Sequence, residues 1–242
     1  MQPCSRLAVL VVAVVVTTSG LSAQTPAVAS APDRSADFPA GWRQTGANPA
    51  SYTLTVDSQV ARSGRASAQL AANSAAADSL WSSSIQQIRA DDYRGKRVRF
   101  RGYMKTRDAG MASLWMRVDG IDGGHTAMLA FDNMESNDLS HRGPRGTTDW
   151  SPYDIVLDIP QGAGAIVLGA ILQGNGQLWV DDFSLEVVDA TVRATETMSM
   201  PEPYGNSKEE ETQMQLRWAA APMRLVNPDF EGGKRGRLPA TK

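Results

Sequence analysis

Three side chains at alternate positions of one short segment could together bind a ligand that carries several hydroxyl groups. Trp115, Arg117 and Asp119 occupy every second position of residues 113–119, and an extended chain presents such positions on one side. An indole ring stacks on the apolar side of a sugar, while a guanidinium group and a carboxylate make directional hydrogen bonds with hydroxyls. The pattern therefore predicts a binding site for a carbohydrate or another small polar ligand, which three residues on nearby loops would complete: Asp132, Asn133 and Trp150.

A second interpretation of the same residues is the solvated outer face of a sheet, with scattered ion pairs. Exposed ion pairs stabilise a protein by about 1 kcal/mol at most, so such a face would not by itself indicate a function. It could equally pack against a partner domain or another protein. The sequence leaves these interpretations open.

No combination of residues selects a catalytic site. A glycoside hydrolase needs two carboxylates on either side of a sugar cleft. Four aspartates could supply such a pair, and no motif selects two of them: Asp119, Asp132, Asp154 and Asp158. The Gly-x-Ser-x-Gly motif of a nucleophile elbow is absent, and His125 and His141 both lie in polar, glycine-containing stretches. We therefore expect a binding module and not an enzyme.

The first residues have the order of a secretory signal peptide. One arginine precedes the apolar run 7–16, and small residues follow up to Ala23, the expected last residue before cleavage. A membrane-spanning helix needs about twenty apolar residues, so we expect no stable membrane insertion after cleavage. The mature protein is predicted to be periplasmic or secreted, with residues 24–35, rich in Ala, Pro and Ser, as a flexible leader.

Cysteine content and charge exclude several classes of site. The only cysteine, Cys4, lies in the predicted signal peptide, so the mature chain offers no thiol and no disulfide. The 24 basic and 26 acidic residues give a net charge of −2, whereas a nucleic-acid-binding protein favours a clustered basic surface. Histidine and cysteine do not occur at the spacing of a zinc site.

Residues 36–188 have the pattern of short strands separated by turns. Segments 97–104, 113–119 and 153–159 alternate apolar and polar residues, and no sustained 3.6-residue apolar repeat intervenes. This pattern predicts one all-β domain, an antiparallel β-sandwich. The side chains expected to face its core are Val98, Phe100, Met104, Leu114, Met116, Val118, Ile155, Leu157 and Ile159.

Several of these segments resemble a known group of domains. The opening stretch 38–42 (Phe-Pro-Ala-Gly-Trp), the turn at 62–68 and the strand at 178–186 are similar to those of galactose-binding-like carbohydrate-binding modules. Segments 114–120, 129–134 and 146–150 resemble a bacterial subfamily that also occurs attached to AraC-type transcriptional regulators. The resemblance implies a jelly roll that binds a ligand without catalysis. No helix-turn-helix pattern is present, so DNA binding is not implied.

The resemblance also implies a structural calcium ion, because many modules of this type hold one near the closing strand. Calcium takes several oxygen ligands, including carboxylates. Asp182 is the residue that matches the family's ligand, and Asp37 is a candidate second ligand. Pro39 stands where the family has a glutamate after the opening phenylalanine.

Regular structure is expected to end at Val188. Residues 189–242 are predicted to be a mostly irregular linker and tail, with a short surface helix within 208–221. Residues 226–233 (Val-Asn-Pro-Asp-Phe-Glu-Gly-Gly) resemble the opening of another such module. The tail is then either the remnant start of a second module, as in the front part of a secreted multidomain enzyme, or an ordinary disordered end.

Overall fold

The computed structural model describes residues 38–73, 79–134, 141–195 and 201–234. The predicted signal peptide, the leader and Asp37 lie outside the described residues. The elements are β1 (Arg43–Gly46), β2 (Tyr52–Asp57), β3 (Ser67–Ala72), β4 (Trp81–Arg89), β5 (Arg97–Ala109), β6 (Met111–Asp122), β7 (His125–Asp132), β8 (Gly146–Asp158), β9 (Ala163–Gln173), β10 (Gln177–Val188), β11 (Glu202–Pro203) and α1 (Lys208–Ala220).

Two antiparallel sheets form the predicted β-sandwich, of jelly-roll type. The six-stranded sheet has the order β1-β4-β9-β6-β7-β11, and the five-stranded sheet has the order β2-β3-β10-β5-β8. Strands β7 and β8 follow one another in the chain yet lie in different sheets, as do β8 and β9 and also β9 and β10. Neighbours in sequence are therefore often separated by the thickness of the sandwich.

Alternation along the strands assigns the core correctly. All nine residues predicted to face inward are at most 1% exposed. Each lies in the layer between the two sheets, where burial of apolar surface supplies the main favourable free energy of folding, roughly 25 cal/mol per Å². The prediction of a packed sandwich core is confirmed.

Ion pairs occupy part of the outer face of the five-stranded sheet. Along β5, the guanidinium groups of Arg97, Arg99 and Arg101 bind carboxylates on the neighbouring strands at 2.6–2.7 Å. Their partners are Asp158, Glu186 and Asp154. Along β5 the interpretation as an outer face with ion pairs fits, because each of these three arginines has a carboxylate partner.

The C-terminal segment, residues 201–234, differs from the prediction of a linker and tail, because it packs against the sandwich. Phe230 is fully buried, with its ring centroid 5.3 Å from that of Trp42 and 5.5 Å from that of Phe183. The Trp42 Nε1–H donates a hydrogen bond to the Asn227 carbonyl oxygen at 3.1 Å. Residues that resemble the opening of another module thus complete the core of this one.

Hydrogen bonds fix the same stretch to the turn before β3 and to the residues that precede β1. The Glu231 carboxylate accepts from the backbone N–H groups of Arg65 and Ala66, at 2.5 and 2.8 Å. Pro39 and Lys234 form an antiparallel bridge, next to the Ala40 N–H that donates to the Gly233 carbonyl at 2.9 Å. The first and last described residues of the domain therefore lie side by side.

Helix α1 confirms the predicted helix, and it packs on the six-stranded sheet. Ser207 and Glu210 form a capping box at its N-terminus, which satisfies backbone N–H groups that a helix start leaves free. Trp218 is buried against Gly164, where a Cβ atom would lie 2.3 Å from the indole. Gly164 occupies a bulge of β9 opposite Asp119 and Gly120. No helix in the described part of the chain is long and apolar enough to cross a membrane.

Candidate functional site

The outer face of the six-stranded sheet contains a groove of about 530 Å³. Trp81, Trp115 and Phe131 line it from β4, β6 and β7, so aromatic rings stand on three strands. Because β9 lies between β4 and β6, the two tryptophans are separated by a strand that carries only Ile171 and Gln173 into the groove. The groove therefore runs across the strands and presents ring surfaces along its length.

Trp115 is held in a fixed orientation. Its Nε1–H donates to the Ser83 Oγ at 2.7 Å, and this bond spans β9, which lies between the two residues' strands. Gly169 is the β9 residue opposite Trp115, and a Cβ atom there would lie 1.8 Å from the Ser84 carbonyl oxygen. With only 8% of its surface exposed, the indole is a preorganised surface, so little conformational entropy is lost when a ligand stacks on it.

Polar groups line the groove beside the rings. Thr45 lies on β1 and Gln173 on β9, while Arg117 and Asn133 stand at the side of β7. In the register of the sheet Arg117 lies directly opposite Phe131. Stacking surfaces next to amide, hydroxyl and guanidinium groups suit a ligand with alternating apolar and hydroxyl-bearing faces.

The C-terminal segment contacts Arg117, which lines the groove, and its neighbour Asp119. Arg117 pairs with Asp119, with Nε 2.8 Å from Oδ1 and Nη2 3.0 Å from Oδ2. The hydroxyl of Tyr204 donates to the same Asp119 carboxylate, and the Arg117 guanidinium lies 5.9 Å from the Tyr204 ring centroid. Burial and the neighbouring Asp119 carboxylate raise the pKa of Tyr204 well above its ordinary value, so this hydroxyl remains a donor at neutral pH.

Three of the predicted ligand-binding residues meet in the groove, and Asp119 lies behind them. Trp115, Arg117 and Asn133 all line it. Asp119 is on the same face but only 3% exposed, and its oxygens are occupied by Arg117 and Tyr204. Its place is to orient the Arg117 guanidinium rather than to contact a ligand.

Asp132 is a correction to the predicted set. It is fully buried and lies opposite Met116, a core residue, where it binds Arg142. The reason is a bulge: Val118 pairs with Ala130 and Asp119 with Met128, so Leu129 is the extra residue. A bulge shifts the alternation by one position, which turns Asp132 inward and its neighbour Phe131 into the groove.

Trp150 is the second correction. It lies within β8, in the five-stranded sheet, and not on a loop beside the groove. The connection between β7 and β8 crosses from one sheet to the other, so proximity in sequence to Asn133 does not produce proximity in space.

Two groove residues were missed from sequence. Trp81 begins a nine-residue strand and is followed by three serines. A large aromatic residue beside this polar run was a usable signal for an aromatic ring on the outer face of the strand. Phe131 was missed because the bulge in β7 reverses its side. The contacts of the C-terminal segment with Arg117 and Asp119 have no local signal in the sequence, since they join residues far apart in the chain.

The carboxylates that a hydrolase would need are paired and divided between the two sheets. Asp119 and Asp132 bind Arg117 and Arg142 at the six-stranded sheet. Asp154 and Asp158 bind arginines of β5 on the outer face of the other sheet. No two of the four therefore face one another across the groove.

The surroundings of Asp182 do not match a calcium site. Its two carboxylate oxygens accept from the Arg62 guanidinium at 2.6 Å and from the Ser63 hydroxyl at 2.8 Å. A guanidinium group already supplies the positive charge there, whereas calcium needs several oxygen ligands. Among the described residues no cluster of three or more metal-ligating side chains occurs. Calcium binding therefore stays a prediction. The second proposed ligand, Asp37, lies outside the described residues.

Asp181, next to it, is a fully buried acid. Its Oδ2 accepts from the backbone N–H groups of Arg62 and Ser63 at 2.9 and 3.2 Å, and its Oδ1 from that of Asp182 at 2.8 Å. Burial raises the pKa of this carboxyl to about 6, although the backbone donors lower it. The group is thus protonated in the folded protein at a pH where it is ionised in the unfolded chain.

We expect Asp181 to make the protein less stable as the pH rises from about 4 to about 6. In that range the folded state holds a proton that the unfolded state has released, so the free energy of unfolding falls with pH. A difference of about two pKa units corresponds to about 3 kcal/mol. Denaturant unfolding of the wild type and of D181N at several pH values measures it, because the variant lacks this titration.

The control for that measurement is D158N. Asp158 should change the free energy of unfolding with pH in the opposite direction to Asp181. The Arg97 guanidinium lowers the pKa of Asp158, so its contribution to stability is present at neutral pH and is lost as the pH falls. If the wild type and D181N show the same pH dependence, Asp181 does not titrate as described.

Comparison with known proteins gives one curated relative. No protein-family model matches the chain. The chain is similar to a protein of Bacillus subtilis (strain 168) named as an uncharacterized HTH-type transcriptional regulator, YbfP, with 37% identity over 179 residues. The match covers 72% of this chain and 58% of the relative, so the chain spans less than two thirds of the relative's length.

Among solved structures the chain is similar to carbohydrate-binding modules of family 22. One is the CBM22-1 xylan-binding domain of Paenibacillus barcinonensis Xyn10C, with 18% identity, a TM-score of 0.44, and coverage of 65% of this chain and 92% of that domain. Another is the C-terminal family 22 module of Clostridium thermocellum Xyn10B, with 14% identity, a TM-score of 0.43, and coverage of 63% and 89%.

Proposed function

We propose that this protein is a non-catalytic binding domain whose groove takes a carbohydrate or a closely similar polyhydroxylated ligand. The observation that carries the proposal is the groove itself, where Trp81, Trp115 and Phe131 stand beside Arg117 and Asn133. A ligand that offers both ring faces and hydroxyl groups matches such a surface better than a purely apolar or a small ionic ligand does.

Two features support binding without catalysis. The four aspartates considered for hydrolysis are engaged by arginines and do not converge on the groove. Among the described residues no carboxylate lines the groove, so these residues place neither a general acid nor a nucleophile there for glycoside cleavage.

DNA binding is not part of this proposal, although the curated relative is named as a helix-turn-helix regulator. The part of the chain that the structure describes contains α1 as its single α-helix, and that helix packs on the sheet through Trp218. We propose that what the two proteins share is the ligand-binding sandwich.

The test of this function is direct titration of the protein with a panel of soluble neutral and acidic oligosaccharides, followed by calorimetry or by tryptophan fluorescence. Binding of at least one of them, with the contact at the groove, is the expected result. Trp115 lies in the groove, so a ligand that stacks there should change its emission. Absence of binding to any carbohydrate across the panel would overturn the proposal.

We also propose that the protein acts outside the cytoplasm, on the basis of the order of charged, apolar and small residues at 1–23. N-terminal sequencing of the mature protein from its own cell should begin at Gln24. A mature protein that retains Met1 and the apolar run would contradict export by this route.

A further inference from the structure

A second depression, which we name the side pocket, adjoins the groove and carries positive charge. It has a volume of about 410 Å³ and lies between β1, β4 and the end of α1. In the register of the sheet Arg43 pairs with Ile85, which lines the groove. Directly paired residues point to the same side of a sheet, so Arg43 reaches the side pocket from the face that carries the groove.

Two arginines of the side pocket have no acidic partner. Arg43 and Arg217 both line it, and within the described ranges neither forms an ion pair, whereas most other arginines of the domain do. In the part of the chain that the structure describes, no carboxylate lines the side pocket or the groove. The chain as a whole has a net charge of −2, so this local excess of positive charge is not a reflection of its composition.

The back of the side pocket is rigid and polar. Gln86 is 3% exposed, and its side-chain amide donates to the carbonyl oxygens of Gly41 and Val226 and accepts from the Val226 N–H at 2.7 Å. The side-chain amide of Gln87 donates to the Arg217 carbonyl at 3.2 Å. These bonds fix the C-terminal segment against β4, the strand that pairs with the β1 strand of Arg43.

We infer that the side pocket is an anion subsite of the groove, in which Arg43 and Arg217 bind a carboxylate or sulfate group carried by the polysaccharide. This inference rests on the proposed carbohydrate-binding function and specifies its ligand class as an acidic glycan. A guanidinium group binds such planar or tetrahedral oxyanions through paired N–H donors. Unpaired positive charge on the rim also steers an anionic ligand toward the groove.

The experiment compares ligands that share a backbone and differ in whether they carry an anionic group. Oligogalacturonate and its methyl ester have one backbone, and a sulfated oligosaccharide with its unsulfated parent forms a second pair. We expect at least one acidic form to bind the wild type about tenfold more tightly than its neutral counterpart, equivalent to about 1.4 kcal/mol. Ionic strength near 1 M, where the Debye length is about 3 Å, should remove most of that preference.

The double variant R43Q/R217Q should lose the preference for the acidic form and keep its affinity for the neutral form within about twofold. The matched control is R193Q/K208Q, which removes two positive charges from exposed residues that line neither depression. That control should retain the preference. A preference seen only with oligogalacturonate indicates a carboxylate subsite, and one seen only with the sulfated oligosaccharide indicates a sulfate subsite.

Two results would overturn the inference, and only one of them would also overturn the proposed carbohydrate-binding function. If acidic and neutral forms bind equally, or if both double variants behave alike, the anion subsite falls while the carbohydrate-binding function stands. If no form binds the wild type, the proposed function falls and the subsite falls with it.

Discussion

Replacement of Phe230 by alanine is expected to lower the free energy of unfolding by about 3–5 kcal/mol, the usual cost of truncating a buried aromatic side chain. Phe230 is fully buried between Trp42 and Phe183. Its removal leaves a cavity between these two rings, where hydrogen bonds of the surrounding backbone limit collapse into the space. A domain of this size is stable by about 5–15 kcal/mol, so the loss would be a large part of the total.

Urea or guanidinium unfolding followed by tryptophan fluorescence measures this loss. F230L, which keeps most of the buried volume, should cost less than about 1.5 kcal/mol. The matched control is L216A in α1, because that side chain is 57% exposed and should change stability by less than about 0.5 kcal/mol. Equal effects of F230A and L216A would mean that residues 226–233 are not part of the folded core.

Replacement of Trp115 by alanine is expected to weaken binding of any carbohydrate held in the groove by about thirtyfold or more, equivalent to about 2 kcal/mol. The indole lines the groove and is oriented by its hydrogen bond to Ser83. Truncation removes both the stacking surface and the wall that keeps water from the neighbouring polar groups.

Titration of the wild type and the variant with one ligand measures this difference. W150A is the matched control, because the same residue type is removed from the other sheet, and its affinity should equal that of the wild type. W115F keeps a ring but cannot donate to Ser83, so an intermediate affinity is expected. An unchanged affinity of W115A for a ligand that binds the wild type would exclude Trp115 from the site.

Local periodicity accounts for the part of the fold that could be predicted from sequence. In β5, β6 and β8, every second residue is apolar over long strands, and these residues form the core with at most 1% exposure. The same alternation places Trp115 and Arg117 together on the opposite face. Strand pairing imposes this period of two wherever one face is buried, so a single sequence is enough to detect it.

The errors in the site come from non-local features. One extra residue, Leu129, reverses the faces of β7, so Phe131 instead of Asp132 reaches the groove. Trp150 follows the connection from β7 to β8, which crosses between the two sheets. No residue pattern predicts this crossing. The bulge and the crossing both depend on which strands pair with β7 and β8. The local sequence of these two strands does not encode which strands those are.

The C-terminal segment shows the same limit over a longer range. The bond between Trp42 and Asn227 joins residues 185 positions apart, and the segment contributes only a few large apolar side chains to the core. Its low hydrophobicity indicated a tail, yet those few contacts are buried in an aromatic cluster. The resemblance of residues 226–233 to the opening of a module stays a prediction, whereas Phe230 of that stretch lies in the core of this domain.

The bridge between Pro39 and Lys234 has a consequence for protein engineering. Because the two ends of the folded unit meet, the unit can be inserted into a surface loop of a host protein with its two junctions only one strand spacing apart, about 5 Å. The same geometry permits circular permutation, with a short linker across the bridge and new termini in an exposed turn such as Gly123–Gly124. There both glycines have positive φ, and no neighbouring atoms lie within 4 Å of a Cβ placed on either of them.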